Sequence, residues 1–288
     1  MRCDGGQIDP GGGGVNVSRA INILGGTSEA FVATAGVLGE LLVKQLRKHG
    51  IDPIRYETNG HTRQSLSIFE ETSGKQLRLV LPGPIWTDRQ VKRLLESIMV
   101  HVEEGALVVA SGSLPPGVGD DFYVNLNTAL KRKNARMVLD TSEETLLTSV
   151  KSAVRPYAVL RMDRLEAEGL AGKAFATPTD MVDFAQSLVH KNIAEVVVMA
   201  RGADGSVFAS KNERFHVRPP KTSVLSAVGA GDSLVGGLTL ALSQSKPLEE
   251  AGLLATAAAS SAVQTSASNL CIRSVTEDII EHSVLERL

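Results

Sequence analysis

Cysteine is almost missing from this sequence: Cys3 and Cys271 are the only two in 288 residues. They are too few and too far apart for a disulfide scaffold or a cysteine-based zinc site, so a reducing compartment is expected, with the cytoplasm as the default. A surplus of charge is missing too. Lys and Arg number 30 against 32 Asp and Glu, a net charge of -2, which argues against nucleic acid as a main partner, because neutralising many phosphates needs a strongly basic face. No apolar run reaches the roughly 18 residues that cross a bilayer, so no membrane association is expected. The opening segment, MRCDGGQIDPGGGG, has no apolar signal-peptide stretch. There is no repeat at a fixed period and no low-complexity tract beyond four glycines.

What is present is globular in character. Hydrophobic residues make up 43% and charged residues 22%, which excludes the disordered and fibrous classes, and the length suits one large α/β domain with an appendage. Short runs rich in Val, Ile and Leu at residues 106–110, 136–140, 157–161 and 195–199 alternate with segments of helical period. That alternation is the mark of βαβ units and a mostly parallel sheet. Val17, Ala20, Ile21 and Leu24 predict a helix from about Val15 that stops at Gly25-Gly26, directly after the glycines 11–14. Val91, Leu94, Leu95, Ile98 and Met99 predict another, capped at Thr87 or Asp88. Residues 62–81 break the rhythm. Leu66 and Ile68, then Leu77, Leu79 and Leu81, alternate on either side of Thr72-Ser73-Gly74-Lys75, which reads as a β-hairpin outside the core sheet, a flap or lid.

The most informative segment is Val228-Gly229-Ala230-Gly231-Asp232-Ser233, followed by an apolar helical run at 234–242. Glycines at a helix start expose successive backbone N–H groups at the positive end of the helix dipole, a site for phosphate charge. A lone Asp in a first turn is most simply a dipole-complementing acid. The G-A-G before Asp232 favours the chemical reading, since phosphoryl transfer to a hydroxyl needs a carboxylate to take the proton beside donors that stabilise the transferring group. Pro10-Gly11-Gly12-Gly13-Gly14-Val15-Asn16 also opens a helix; it is not a Walker A loop, because the Gly-Lys-Ser/Thr ending is absent. Its glycines suit either a flexible linker or close approach of backbone to a ligand, with Asn16 able to bond sugar hydroxyls. Arg63, in Thr62-Arg63-Gln64 at the head of the hairpin, is either a solvated surface cation or a clamp on a substrate phosphate. Ser111-Gly112-Ser113-Leu114-Pro115-Pro116-Gly117 follows a strand at its carboxyl end, where α/β sheets bind ligands, and could equally be a rigid turn.

The motifs P-G-G-G-G-V-N-V-S-R-A, T-R-Q, A-S-G-S-L-P-P-G and A-V-G-A-G-D-S, in this order, resemble the phosphofructokinase B family of ribokinase-like carbohydrate kinases over nearly the whole chain, and most of all its non-classical 6-phosphofructokinases. The resemblance implies a three-layer α/β/α sandwich with a mostly parallel sheet, formed by residues 10–54 and 84–288, and a small β lid from residues 1–9 and 55–83. It implies that Asp232 is the catalytic base and that Gly229, Ala230 and Gly231 form the anion hole. Gly11, Gly12, Asn16, Arg63 and Ser113 would surround the sugar phosphate. The implied substrates are ATP with Mg2+ and fructose 6-phosphate, with tagatose 6-phosphate and fructose 1-phosphate as near neighbours. A homodimer formed lid to lid would cover the exposed hairpin edges.

The chain departs from the family pattern in places. Where relatives carry K-P-N-x-x-E, it has Arg161-Met162-Asp163-Arg164-Leu165-Glu166. Glu166 is kept and would organise Mg2+ through water, Arg161 preserves positive charge near the nucleotide phosphates, and Asp163 adds a negative charge that a metal would offset. The nucleotide-loop glycines, Gly202 and Gly205, follow Ala200-Arg201 where a hydroxyl residue is usual, and residues 264–270 lack the N-x-G of a monovalent-cation site. These changes keep open a catalytically silent sugar-phosphate-binding homologue. A Rossmann-type oxidoreductase is disfavoured, since no G-x-G-x-x-G follows a first strand. Relatives also begin with a core strand carrying N-P-x-x-D and further lid strands, whereas only Met1 to Asp9 precede the glycines here. The expectation is that the gene encodes on the order of 20 to 30 more residues upstream.

Overall fold

The helix at the glycine loop forms as its apolar spacing predicts, but starts two residues earlier: α1 spans Gly13–Ile23 in this computed structural model, which describes residues 6–70, 75–266 and 268–288. The chain continues through β1 (Phe31–Thr34), α2 (Gly36–Lys48) and β2 (Ile54–Glu57). β1 and β2 pair in parallel as a sheet of their own. β2 therefore runs across the boundary drawn between residues 54 and 55. β3 (Ser65–Glu70) and β4 (Lys75–Val80) form the expected antiparallel hairpin as a separate two-stranded sheet; residues 71–74, where its turn was expected, lie outside the described residues. α3 (Asp88–His101) starts at the predicted cap, with the Gln90 side chain accepting from the Thr87 N–H at 2.9 Å.

β5 (Leu107–Ser111), α4 (Phe122–Leu130), β6 (Arg136–Asp140), α5 (Glu143–Lys151), β7 (Tyr157–Asp163), α6 (Arg164–Ala171), α7 (Pro178–His190) and β8 (Ala194–Ala200) follow as successive βα units. β5 to β8 pair in parallel. β9 (Ser206–Ala209), β10 (Arg214–Arg218) and the C-terminal β11 (Val284–Arg287) extend that sheet antiparallel to seven strands, beyond the four whose apolar runs stand out in the sequence.

The two faces of the sheet explain its unbroken apolar runs. Met137 and Leu139 of β6, Leu160 and Met162 of β7, and Val197 and Met199 of β8 point to one layer, packed with Phe122, Leu126, Leu146, Met181 and Leu188 from α4, α5 and α7. The intervening Val138, Val159 and Val198 point to the other, against α1, α8 (Ala230–Ser243) and α9 (Leu248–Ala262). The result is the three-layer α/β/α sandwich. β5 closes the sheet on one side. Its Leu107, Val108 and Val109 are only half-buried, and among the described residues its outer edge pairs with no strand. α10 (Arg273–His282) packs on α9 and leads into β11.

Candidate active site

Five chain segments converge at the carboxyl ends of β5, β6 and β7, the place where parallel sheets offer a crevice. α8 begins at Gly229, whose φ of 82° is a left-handed conformation that glycine adopts without strain. No side chain caps that end of α8, or of α1 at Gly12, so both helices present uncapped first-turn N–H groups. Asp232 stands in the first turn of α8, and the Asn16 side chain of α1 donates from Nδ2 to Asp232 Oδ2 at 2.8 Å. The two glycine motifs are thus joined by a hydrogen bond across 216 residues of sequence. Gly11 and Gly12 are exposed, with open space where side chains would stand.

A second network backs the first. Asp140, buried at the end of β6, accepts from Ser111 Oγ at 2.9 Å and from Arg161 Nη1 at 3.0 Å. Burial opposes the charge of Arg161, but Asp140, with Glu166 and Asp163, outweighs it and holds the guanidinium above its ordinary pKa. That guanidinium lies 3.1–3.3 Å from where a Cβ on Gly231 would stand, so a fixed cation abuts the N-terminus of α8. The glycine loop packs on this network as well, since any side chain at Gly13 would collide with Ser111.

Asp163 and Glu166 take up local duties. Asp163 is the N-cap of α6, its Oδ1 accepting from the Glu166 N–H at 2.8 Å, while Glu166 Oε2 accepts from the Asp163 N–H at 2.7 Å. The negative charge of Asp163 is therefore met by a helix N-terminus without any metal. Burial pushes the Glu166 carboxyl above the usual range, and the nearby Asp163 charge adds to that against the backbone bond. Among the described residues no group of three or more His, Cys, Asp or Glu could hold a metal ion.

The remaining expected residues are placed less tightly. Gly202 is exposed at a left-handed φ of 60°, whereas Gly205 is buried and packs so closely on the Val217 carbonyl that a side chain there would collide with it. Ser113 is exposed and makes no bond with the described residues; Ser111 is the hydroxyl of that loop that enters the network. Arg63 is exposed at the entry to β3 and has no hydrogen-bond or ion-pair partner among the described residues. Arg19, Ser111 and Asp140 belong to the site and were not singled out from sequence. Arg19 carried a usable signal, a charge amid the apolar face of α1, where it is 4% exposed.

Solved structures superpose closely on this fold. Phosphofructokinase-2 from Escherichia coli, in a crystal structure with potassium, matches with a TM-score of 0.91 and 34% identity, over 97% of this chain and 90% of that one. Fold and site together define the class, a ribokinase-like α/β/α carbohydrate kinase. The chain belongs to the pfkB family of carbohydrate kinases, whose family model matches residues 1–274. It is 34% identical to the ATP-dependent 6-phosphofructokinase isozyme 2 of Escherichia coli over 279 residues, 97% of this chain and 89% of the relative. It is 31% identical to the 1-phosphofructokinase of Bacillus subtilis over 242 residues, 84% of this chain and 77% of the relative.

Proposed function

We propose that this kinase transfers the γ-phosphoryl group of ATP to fructose 6-phosphate, giving fructose 1,6-bisphosphate and ADP. The substrate hydroxyl oxygen attacks the γ-phosphorus, its proton passes to Asp232, and the bond from phosphorus to the β,γ-bridging oxygen breaks as ADP leaves. The observation that carries the reading is Asp232, oriented by Asn16 in the first turn of an uncapped helix with the Arg161 guanidinium alongside. Gly229, Ala230 and Gly231 supply N–H groups to the transferring phosphoryl, and Arg161 adds a fixed charge. Mg2+, when bound with the nucleotide, would neutralise phosphate charge, and Glu166 would help to hold it through water. Gly202 offers open backbone to the nucleotide.

Gly11, Gly12, Asn16 and Ser113 line the sugar side, and Arg63 closes on the sugar phosphate from the hairpin β3–β4, which acts as the lid. Two such hairpins, each with exposed apolar side chains, pair in a homodimer. The compartment is the cytoplasm; among the described residues no helix is long and apolar enough to cross a membrane. Coupled ADP release with fructose 6-phosphate, fructose 1-phosphate and tagatose 6-phosphate tests the reading. Highest kcat/KM with fructose 6-phosphate supports it, and preference for another sugar reassigns the acceptor. Tight binding of a sugar phosphate without turnover favours a silent binding homologue instead.

A further inference from the structure

Arg19 is a buried guanidinium beside the site, and it reaches the proposed base through a single intermediate. Its Nη1 donates to Asn16 Oδ1 at 3.1 Å, to the Pro10 carbonyl at 3.0 Å and to the Ser268 carbonyl at 3.4 Å. Ser268 is in turn bonded through its hydroxyl to Asp9. One cation thus gathers the start of the glycine loop, the helix α1 and the loop after α9. Burial works against its charge and lowers its pKa, and Asp9 and Asp232 are the carboxylates whose fields hold it.

The chemistry of the groups makes this more than a tether. A guanidinium only donates, so the end of the Asn16 amide that faces Arg19 must be the oxygen. The NH2 end then necessarily faces Asp232, where it donates at 2.8 Å. With the amide free to flip, its oxygen would meet a carboxylate oxygen, a repulsive contact that would turn the carboxylate away.

We propose that Arg19 is a positioning residue for phosphoryl transfer, locking the Asn16 amide so that its NH2 group fixes the plane of the Asp232 carboxylate. This rests on Asp232 being the general base. Arg19 touches neither substrate in this arrangement, so its loss acts through Asn16: kcat falls, the Michaelis constant for ATP stays within about threefold, and that for the sugar phosphate moves no further than Asn16→Ala moves it. Loss of a charge-assisted contact of this kind lowers kcat about 10- to 100-fold.

A double-mutant cycle in the ADP-release assay separates positioning from mere structure. The set is Arg19→Met, Asn16→Ala and the double variant, each checked by thermal melting, with Asp232→Asn alongside. If Arg19 acts through Asn16, adding Arg19→Met to Asn16→Ala costs less than about threefold in kcat, although alone it costs at least about tenfold. Equal fold-losses in both backgrounds, or a loss confined to KM, overturn the proposal. Should Arg19→Met fail to fold, the same cycle with Arg19→Lys decides by the same criterion. An Asp232→Asn variant that keeps its turnover overturns the base itself and the proposal with it. An inactive Asp232→Asn with an additive cycle overturns only the role of Arg19. Absence of turnover in the unaltered protein overturns both.

Discussion

Arg161 and Asp140 form an ion pair at 3.0 Å in which both side chains are nearly buried, 13% and 11% exposed. The other ion pairs among the described residues have at least one well-exposed partner, where pairs are worth little. Removing one member of a buried pair strands the other charge. Asp140→Ala should cost about 3–5 kcal/mol in urea unfolding. Adding Arg161→Ala should recover part of that loss, because the stranded cation goes too. The single variant Arg161→Ala should also raise KM for ATP well above that for the sugar phosphate. A double variant as unstable as the sum of the singles would show that packing, not charge, sets the cost.

Asp232→Asn keeps the shape of the side chain and removes its capacity to accept a proton. With the fold retained by thermal melting and sugar-phosphate affinity unchanged, kcat should fall by at least ~10². Retention of most turnover would remove Asp232 from the role of base.

Arg63 is free of protein partners among the described residues, as a residue waiting for a ligand would be. Arg63→Ala should raise KM for the phosphorylated sugar about 10- to 150-fold, corresponding to roughly 1.5–3 kcal/mol for a lost charge-assisted bond, with far less effect on KM for ATP. Equal effects on both constants would make it a structural residue of the lid.

The hairpin places Leu66 opposite Leu79 and Ile68 opposite Leu77, and all four are exposed, between 38% and 56%. Cross-strand partners fall on one face of a sheet, so these four form an apolar surface that no described residue of the chain covers. Burying a charge against its copy is costly, so Ile68→Asp should convert a dimer into monomers while leaving the core intact. Sedimentation equilibrium together with near-UV circular dichroism measures both. An unaltered protein that is already monomeric at micromolar concentration would rule out pairing through the lid.

The parts of this molecule that could be read from sequence are those whose physics is local or two-sided. β6, β7 and β8 were legible because burial on both faces leaves uninterrupted runs such as Met137-Val138-Leu139. β9 and β10 are four and five residues long, and β10 holds His216 in its centre, so neither yields a run that stands out. β11 has no fully buried residue at all. The glycine motifs were legible because backbone exposure at a helix start needs glycine. Ser111, Asp140 and Arg161 were not legible as one network, since each is unremarkable alone and the sheet register brings them together across 21 to 29 residues. From sequence the charge of Asp163 calls for a metal to offset it; the capping box with Glu166, which meets that charge within one helical turn, is a local contact that the family pattern did not suggest.

One residue near this site violates a local rule without any visible return. Glu143, the first residue of α5, has φ of 54°, in the left-handed region, and is exposed. Asn134 and Asn192 share that conformation, but their side chains tolerate it, whereas a glutamate has no such local bond to offer. The strain costs about 1–2 kcal/mol. Glycine would remove it and would forfeit a favourable first-turn charge worth about 0.3–1 kcal/mol. Relief exceeds loss, so Glu143→Gly should stabilise the protein by up to about 1 kcal/mol and raise Tm by about 2 °C. Glu143→Gln is the control, because it removes the charge and keeps the strained backbone. It should lower stability slightly or leave it unchanged, and a glycine variant no more stable than the glutamine one would show that the backbone at residue 143 stores no strain.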